Sequence, residues 1–119
     1  MAEHNELGKK GEQLAVAYLL QHNYKIIACN YRFLKAEVDI IAQKESVLAA
    51  IEVKTRSSID FGNPQDFINP KKIKLLIYAI DNFVLENNLD VEVRFDIIAI
   101  VKQKNAFKIE HLKDAFLHF

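Results

Sequence analysis

The chain has 119 residues, of which 50% are hydrophobic and 27% are charged. This length and composition predict one compact domain over residues 1–119 and exclude a second domain or a low-complexity chain. Sixteen basic residues balance sixteen acidic residues. Any contact with nucleic acid must therefore come from a local basic surface, because overall charge supplies no attraction.

The chain carries no pattern typical of export or of a membrane segment. Its N-terminus lacks the basic start and apolar stretch of a signal peptide, and its longest apolar runs are strand-sized. The single cysteine, Cys29, cannot form an internal disulfide, and its apolar neighbours predict a small buried side chain. We therefore expect a cytoplasmic protein in a reducing compartment.

The first predicted element is a helix over Asn5–Gln21, where apolar residues return on one face. Gly8 and Gly11 interrupt its early turns, and each glycine costs roughly 1 kcal/mol relative to alanine in a helix. Both glycines therefore predict close approach of another backbone or of a bound group. Glu12 follows directly.

Three strands rich in β-branched and aromatic residues follow, with a polar turn at Gln43–Ser46 between the second and the third. These strands are predicted at Tyr24–Phe33, Glu37–Ala42 and Val47–Thr55. Alternation places Glu37 and Asp39 on one face of the second strand, and Glu52 and Lys54 on one face of the third. If the hairpin closes at its polar turn, Asp39 and Glu52 are neighbours.

The second half of the chain predicts one long loop, one helix and two strands. Asn69 as N-cap and Pro70 at the first helical position match the rules for a helix start. The predicted elements are a loop at Arg56–Asn69, a helix from Pro70 to Asn87–Asn88, and strands at Val91–Val101 and Phe107–Glu110. The resulting order, αβββαββ, favours an α/β fold in which helices flank a mixed sheet.

Ionisable groups inside two apolar strands require a partner, because an unpaired buried charge is unfavourable by several kcal/mol. Asp39, Glu52 and the backbone carbonyl of Val53 offer the oxygen ligands that Mg²⁺ prefers, and Mn²⁺ is the other candidate. Lys54 would then orient or help to deprotonate the attacking water. A cross-strand ion pair on a solvated face is an equally good explanation at this point.

Basic residues near the loop suggest a phosphate-binding surface. Lys71, Lys72 and Lys74 crowd the first turns of the second helix, where the helix dipole disfavours cations unless an anion is bound. Arg56 lies at the opposite end of the loop. Each of these side chains also fits a merely solvated position.

Several short motifs together resemble one known family, the YraN family of bacterial endonuclease-like proteins, across nearly the whole chain. Asp39 followed by Glu52-Val53-Lys54 is similar to the core motif of the PD-(D/E)xK nuclease superfamily. The remaining matching motifs are Gly8-Lys9-Lys10-Gly11-Glu12, Asn30-Tyr31-Arg32, Glu37-Val38-Asp39-Ile40-Ile41, Thr55-Arg56, Phe61-Gly62, Lys71-Lys72 and Arg94-Phe95-Asp96.

The resemblance implies a restriction-endonuclease-like fold, similar to archaeal Holliday-junction resolvases, and metal-dependent cleavage of phosphodiester bonds. By match of motif, Asp39 and Glu52 are metal ligands and Lys54 is the catalytic lysine. Glu12 would be a further acid that touches the metal directly or through water. A glutamate in the first turns of a helix is also favoured by the helix dipole alone.

We therefore expect a Mg²⁺- or Mn²⁺-dependent nuclease that acts on DNA, with structured or branched DNA as the substrate. The alternatives are a non-catalytic nucleic-acid-binding module or a protein-interaction partner in DNA processing. A domain of this size holds one site, so cutting both strands would require a homodimer on the substrate. The apolar tail Ala115–Phe119 would serve as part of that interface or cap the core.

Overall fold

A computed structural model describes residues 2–57 and 69–115, with side chains from Glu6 onward, and confirms the predicted order αβββαββ. The first helix begins at Ala2, three residues before the predicted start. The elements are α1 (Ala2–Gln21), β1 (Lys25–Phe33), β2 (Ala36–Lys44), β3 (Val47–Arg56), α2 (Pro70–Glu86), β4 (Glu92–Gln103) and β5 (Ala106–Leu112).

The five strands form one mixed sheet in the order β1-β2-β3-β4-β5. Only the β3–β4 pair is parallel, and the other three neighbouring pairs are antiparallel. A parallel pair requires a crossover connection, which α2 supplies between β3 and β4. The apolar run Ile97–Ile100 on β4 is buried, as expected of an interior strand.

The two helices cover opposite faces of the sheet. On β3, Ala49 and Ile51 pack in the cluster that contains Leu19 of α1. Leu48 and Ala50 pack in the cluster that contains Leu76 of α2. Because neighbouring strand residues point to opposite faces, the core has two halves and the domain has three layers, α/β/α.

The start of α2 is fixed by the predicted cap. Asn69 has extended backbone angles, and its side-chain oxygen accepts a hydrogen bond of 2.8 Å from the Lys72 amide. Pro70 occupies the first helical turn, and Asn87 ends the helix. This cap holds the backbone of the first turn of α2 in place over the sheet.

A buried ionic network supports the α1 side of the sheet. Asp96 on β4 is fully buried and accepts hydrogen bonds from Arg94, at 2.9 Å to each carboxylate oxygen, while the His111 ring lies 2.8 Å away. Despite its burial, these hydrogen bonds and the positive charge of Arg94 hold the pKa of Asp96 below its usual value. Arg94 and Asp96, which the sequence carries two residues apart on β4, thus form a structural ion pair.

Two expectations from the sequence are wrong. Cys29 is exposed, because β1 is an edge strand and Cys29 lines an open cleft between β1 and α1. Gly8 has no neighbour among the described residues within 4 Å of the place where a Cβ atom would stand, so the predicted close approach is not found there. Apolar neighbours in sequence do not determine whether a strand residue such as Cys29 is buried. Likewise, a glycine in a helix does not show that another group packs against it.

Parts of two predicted segments lie outside the described residues. These are positions 58–68 of the loop and positions 116–119 of the tail. Ala115, which precedes the second of these, donates its backbone N–H to the Phe95 carbonyl at 2.8 Å. Within the described ranges, the helices are too short or too polar to cross a membrane.

Candidate metal centre

Asp39 and Glu52 meet where the β2–β3 ladder ends. The last paired residues are Ile40 and Ile51, and one further step in the same register places Asp39 opposite Glu52. The hairpin register predicted from the polar turn therefore brings the two carboxylates together. The turn itself is shorter than predicted, because β2 continues to Lys44 and leaves only two residues, Glu45 and Ser46, before β3.

The strand alternation is interrupted at Asp39. Val38 and Ile41 both pack in the α2 cluster, although strict alternation would separate residues three positions apart. Asn30, which the register places opposite Asp39 on β1, has a φ of 54° and so adopts the left-handed conformation. The prediction that strict alternation continues through β2 is therefore wrong at this position.

Asp39 takes the place of a strand carbonyl at the end of the ladder. Its Oδ2 atom accepts a hydrogen bond of 2.8 Å from the Val53 amide. In an antiparallel pair, the N–H and C=O groups of one residue point to the same neighbour. The Val53 carbonyl is thereby directed to the same side as the Asp39 carboxylate, as an oxygen ligand at this position requires.

Glu52 is 7% exposed and is paired with two lysines through one oxygen atom. Its Oε2 atom lies 2.8 Å from the Lys72 Nζ atom and 3.4 Å from the Lys54 Nζ atom. Lys54 is on the same strand, two residues further along, whereas Lys72 enters from the first turn of α2. Two cations therefore balance the charge of this one carboxylate.

The negative charge of Asp39 is balanced by nearby positive groups much less than that of Glu52. Burial raises the pKa of Asp39 to about 7, and the neighbouring charges of Glu52 and, more weakly, Glu12 act in the same direction. The hydrogen bond from Val53 and the positive charge of Lys72 oppose the rise in this pKa. Two carboxylates lie close together here, and one of them resists ionisation. A bound divalent cation would remove this repulsion and favour the ionised form of both.

Gly11 brings α1 close to this end of β3. A Cβ atom at Gly11 would lie 2.8 Å from the Thr55 Cβ atom and nearer still to the Thr55 hydroxyl oxygen. The predicted close approach at Gly11 is therefore confirmed, but the neighbour is the Thr55 side chain and not the predicted backbone or bound group. This contact positions the next residue, Glu12, near enough to act on the pKa of Asp39.

The donor set suits a metal held by two carboxylates. Within residues 2–57 and 69–115, no three side chains of the types His, Cys, Asp and Glu are grouped closely enough to enclose an ion. Glu12 is thus an electrostatic neighbour of Asp39 and is not part of a three-acid cluster. Mg²⁺ commonly binds one or two carboxylates and keeps waters and phosphate oxygens as its other ligands, which fits Asp39, Glu52 and the Val53 carbonyl.

Two clefts open beside these residues. One has a volume of about 350 Å³, and its polar lining includes Lys35, Glu37, Asp39, Glu52 and Lys72. Glu37, predicted to share a strand face with Asp39, forms an ion pair of 3.0 Å with Arg32. The other cleft has a volume of about 300 Å³ and lies between α1 and the end of β3. It is lined by Leu7, Gly8, Glu12, Val53, Lys54, Thr55 and Arg56.

The predicted phosphate-binding residues do not all lie in one place. Lys72 is in the first cleft and Arg56 is in the second, where its Nη1 atom donates to the Thr55 carbonyl at 2.9 Å. Lys71 and Lys74 are exposed on the first turns of α2. The basic surface therefore borders the carboxylate pair on the α2 side and at the end of β3.

Sequence reasoning missed the contact between Lys72 and Glu52, and it missed Lys35 altogether. A signal for Lys72 was present, because Lys72 and Leu76 are four residues apart and therefore share one face of α2. Leu76 is part of the apolar stripe that faces the sheet. Lys35 follows Leu34 in the two-residue turn between β1 and β2 and has no such pattern.

The mixed sheet between two helices, in the order αβββαββ, has the restriction-endonuclease-like fold that the sequence predicts. The acidic pair at the end of its β2–β3 hairpin lies where the motif Asp39…Glu52-Val53-Lys54 leads one to expect it.

Within this class, the chain belongs to the family described as "Uncharacterised protein family UPF0102", whose model matches residues 11–100. This is the YraN family, so the resemblance drawn from the motifs is confirmed. The chain is 60% identical to UPF0102 protein FP2501 of Flavobacterium psychrophilum and 62% identical to a UPF0102 protein of Christiangramia forsetii, over the full length of both chains in each case. It is 47% identical to UPF0102 protein BF0634 of Bacteroides fragilis, over 98% of this chain and 96% of that protein.

Proposed function

We propose that this protein is a nuclease that hydrolyses phosphodiester bonds of DNA with the help of Mg²⁺ or Mn²⁺ held by Asp39, Glu52 and the Val53 carbonyl. The observation that carries the proposal is the pair of carboxylates at the end of the β2–β3 ladder, buried Glu52 and half-buried Asp39, in which the pKa of Asp39 is raised to about 7. Ionisation of Asp39 in this pair stays unfavourable unless a further cation joins the two carboxylates.

The chemistry divides between the ion and the side chains around it. A divalent ion held by Asp39, Glu52 and the Val53 carbonyl would supply charge that neutralises the phosphate and would make water a better nucleophile at neutral pH. Lys54 is only 17% exposed, and the Glu52 carboxylate keeps its ammonium group beside the pair. This position supports the proposal that Lys54 orients the attacking water and offsets the charge that develops on the phosphate.

Phosphates flanking the scissile bond would contact the basic residues around the pair. Lys71, Lys72 and Lys74 are on the α2 side and Arg56 is at the end of β3. Because the formal net charge of the chain is zero, this attraction is local and should weaken as salt increases. Glu12 adds negative charge near Asp39 and thereby favours a bound cation.

Branched or otherwise structured DNA is the substrate class that we propose, on the strength of the family resemblance. One chain offers one carboxylate pair, so we also propose that two copies assemble on a substrate in which both strands are cut. Sedimentation of the protein with branched DNA in Ca²⁺ should give two chains per DNA molecule. One chain per molecule would contradict the homodimer.

The proposed function is tested by incubating the purified protein with branched, single-stranded and duplex DNA. We expect cleavage in Mg²⁺ or Mn²⁺, with none in EDTA, and a preference for the branched substrate. DNA binding in Ca²⁺ without any cleavage in Mg²⁺ or Mn²⁺ would contradict the nuclease and favour a nucleic-acid-binding module. Absence of both binding and cleavage would favour the protein-interaction alternative.

A further inference from the structure

Two ammonium groups share one oxygen atom of Glu52, and they differ in their freedom to leave it. The Lys54 side chain is 17% exposed and belongs to the same strand as Glu52. The Lys72 side chain is 38% exposed and reaches Glu52 from α2, across the cleft. Lys72 also has the shorter contact, 2.8 Å against 3.4 Å.

Lys72 binds the Glu52 carboxylate, which a divalent cation would also bind. Its Nζ atom is within hydrogen-bond distance of Glu52, and its charge also acts on the neighbouring Asp39. A cation bound by both carboxylates would repel this ammonium group, since like charges a few ångströms apart in a half-buried site are weakly screened. Lys72 and the ion therefore compete for Glu52.

Only the side chain of Lys72 would have to move. The backbone amide of Lys72 is held by the Asn69 cap at 2.8 Å, so the first turn of α2 stays in place. A lysine stem has four carbons and carries a compact charge at its end. The cleft that holds Lys72 also contains Lys35, and the Lys72 side chain is 38% exposed, so an ammonium group released from Glu52 would remain beside a phosphate that enters this cleft.

We infer that Lys72 is a built-in substitute for the metal: it neutralises Glu52 while the metal is absent and transfers its charge to a substrate phosphate when the metal binds. This inference rests on the proposed function, because it requires the metal site at Asp39 and Glu52. It makes Lys72 a positioning residue that couples metal binding to phosphate binding. A lysine that only orients Glu52 would have the opposite effect on metal affinity.

The test measures Mn²⁺ affinity from the spin resonance signal of free Mn²⁺, without any cleavage. For Lys72→Met we expect Mn²⁺ to bind about fivefold more tightly or better, at the low end of the coupling seen between linked sites. Lys72→Arg, which keeps the cation, should bind Mn²⁺ about as the parent protein does. Lys71→Met removes the same charge one residue earlier and should change the affinity by less than about twofold.

DNA affinity supplies a second readout with Ca²⁺ as a metal that does not support cleavage. Lys72→Met should weaken binding of a branched oligonucleotide in Ca²⁺ about fivefold, and by less than about twofold in EDTA, where Lys72 stays on Glu52. Lys71→Met should weaken binding by the same factor in both conditions, because the charge of Lys71 is not tied to the carboxylates.

Two outcomes would overturn the inference in different ways. Unchanged or weaker Mn²⁺ binding by Lys72→Met, in a protein that does bind Mn²⁺, contradicts the substitution by Lys72 and leaves the proposed metal site standing. If neither the parent protein nor any of the three variants binds Mn²⁺, the metal site itself is contradicted, and the inference with it.

Discussion

At the scale of single residues, the two carboxylates of the candidate centre differ in the groups that neutralise them. Glu52 has two ammonium groups within 3.4 Å of one oxygen, whereas Asp39 has the Val53 amide at 2.8 Å. Burial and the charge of Glu52 therefore raise the pKa of Asp39 to about 7. Asp39 is the member of the pair whose ionisation opposes folding.

Asp39→Asn should accordingly stabilise the metal-free protein at alkaline pH. When the pKa of an aspartate is higher in the folded state than in the unfolded state, the folded protein loses stability as pH rises from about 4 to about 7. The loss is complete above that range. We expect Asp39→Asn to raise the free energy of unfolding by about 2 kcal/mol at pH 8 and by much less at pH 4. Urea unfolding across this pH range measures the difference.

The same titration with Mg²⁺ present provides the control. A cation on the carboxylate pair favours ionised Asp39, so the parent protein should recover stability at pH 8, whereas Asp39→Asn should gain much less. A stability difference between the two proteins that does not depend on pH would contradict the raised pKa of Asp39.

At the scale of elements, the packing of α1 on β3 determines how close Glu12 comes to the pair. The close approach at Gly11 leaves no space for a side chain, because Thr55 fills the position of a Cβ atom. Gly11→Ala should therefore push α1 away from β3 and lower the free energy of unfolding by about 1–3 kcal/mol. The cost should be smaller in a Thr55→Ala background, since the two residues share one contact.

Gly8→Ala is the matched control in the same helix. In the part of the chain that the structure describes, nothing lies within 4 Å of a Cβ atom at Gly8, so alanine should stabilise the helix by about 0.5–1 kcal/mol through its better helix propensity. Thermal and urea unfolding of the two variants measure this contrast. Equal effects of Gly8→Ala and Gly11→Ala would contradict the tight contact between α1 and Thr55.

The order of elements could be predicted from the sequence because periodicity and turn chemistry are local properties. The cap at Asn69 and the polar turn before Val47 each mark an element boundary within a few residues. The neighbouring positions of Asp39 and Glu52 follow from that one turn, since register is fixed once a hairpin closes. The pair is therefore the part of the candidate site that local sequence determines.

The remaining features of the site depend on packing between distant segments. The contact of Lys72 with Glu52 requires the position of α2 over the sheet, which no local pattern gives. The exposure of Cys29 depends on β1 being an edge strand, and the broken alternation at Asp39 lies opposite the left-handed backbone of Asn30 on that neighbouring strand. Gly8 and Gly11 look alike in sequence, and only the position of Thr55 distinguishes them.

At the scale of the whole molecule, the fold brings one end of the β2–β3 hairpin, the start of α2 and the early turns of α1 to the same region. Asp39 and Glu52 come from the first, Lys72 from the second and Glu12 from the third. Each segment would have little chemical capability alone. Their convergence is what makes hydrolysis of a phosphodiester the function that we propose for this member of the UPF0102 family.

The most direct test of that central claim is the single-turnover cleavage rate of branched DNA in Mn²⁺ for Glu52→Gln against Glu86→Gln. Both variants replace a carboxylate with an amide of the same shape, but Glu86 is exposed at the far end of α2. We predict a loss of about 100-fold or more for Glu52→Gln and parent-like cleavage for Glu86→Gln. Cleavage by Glu52→Gln at the parent rate would contradict the assignment of nuclease activity to this carboxylate pair.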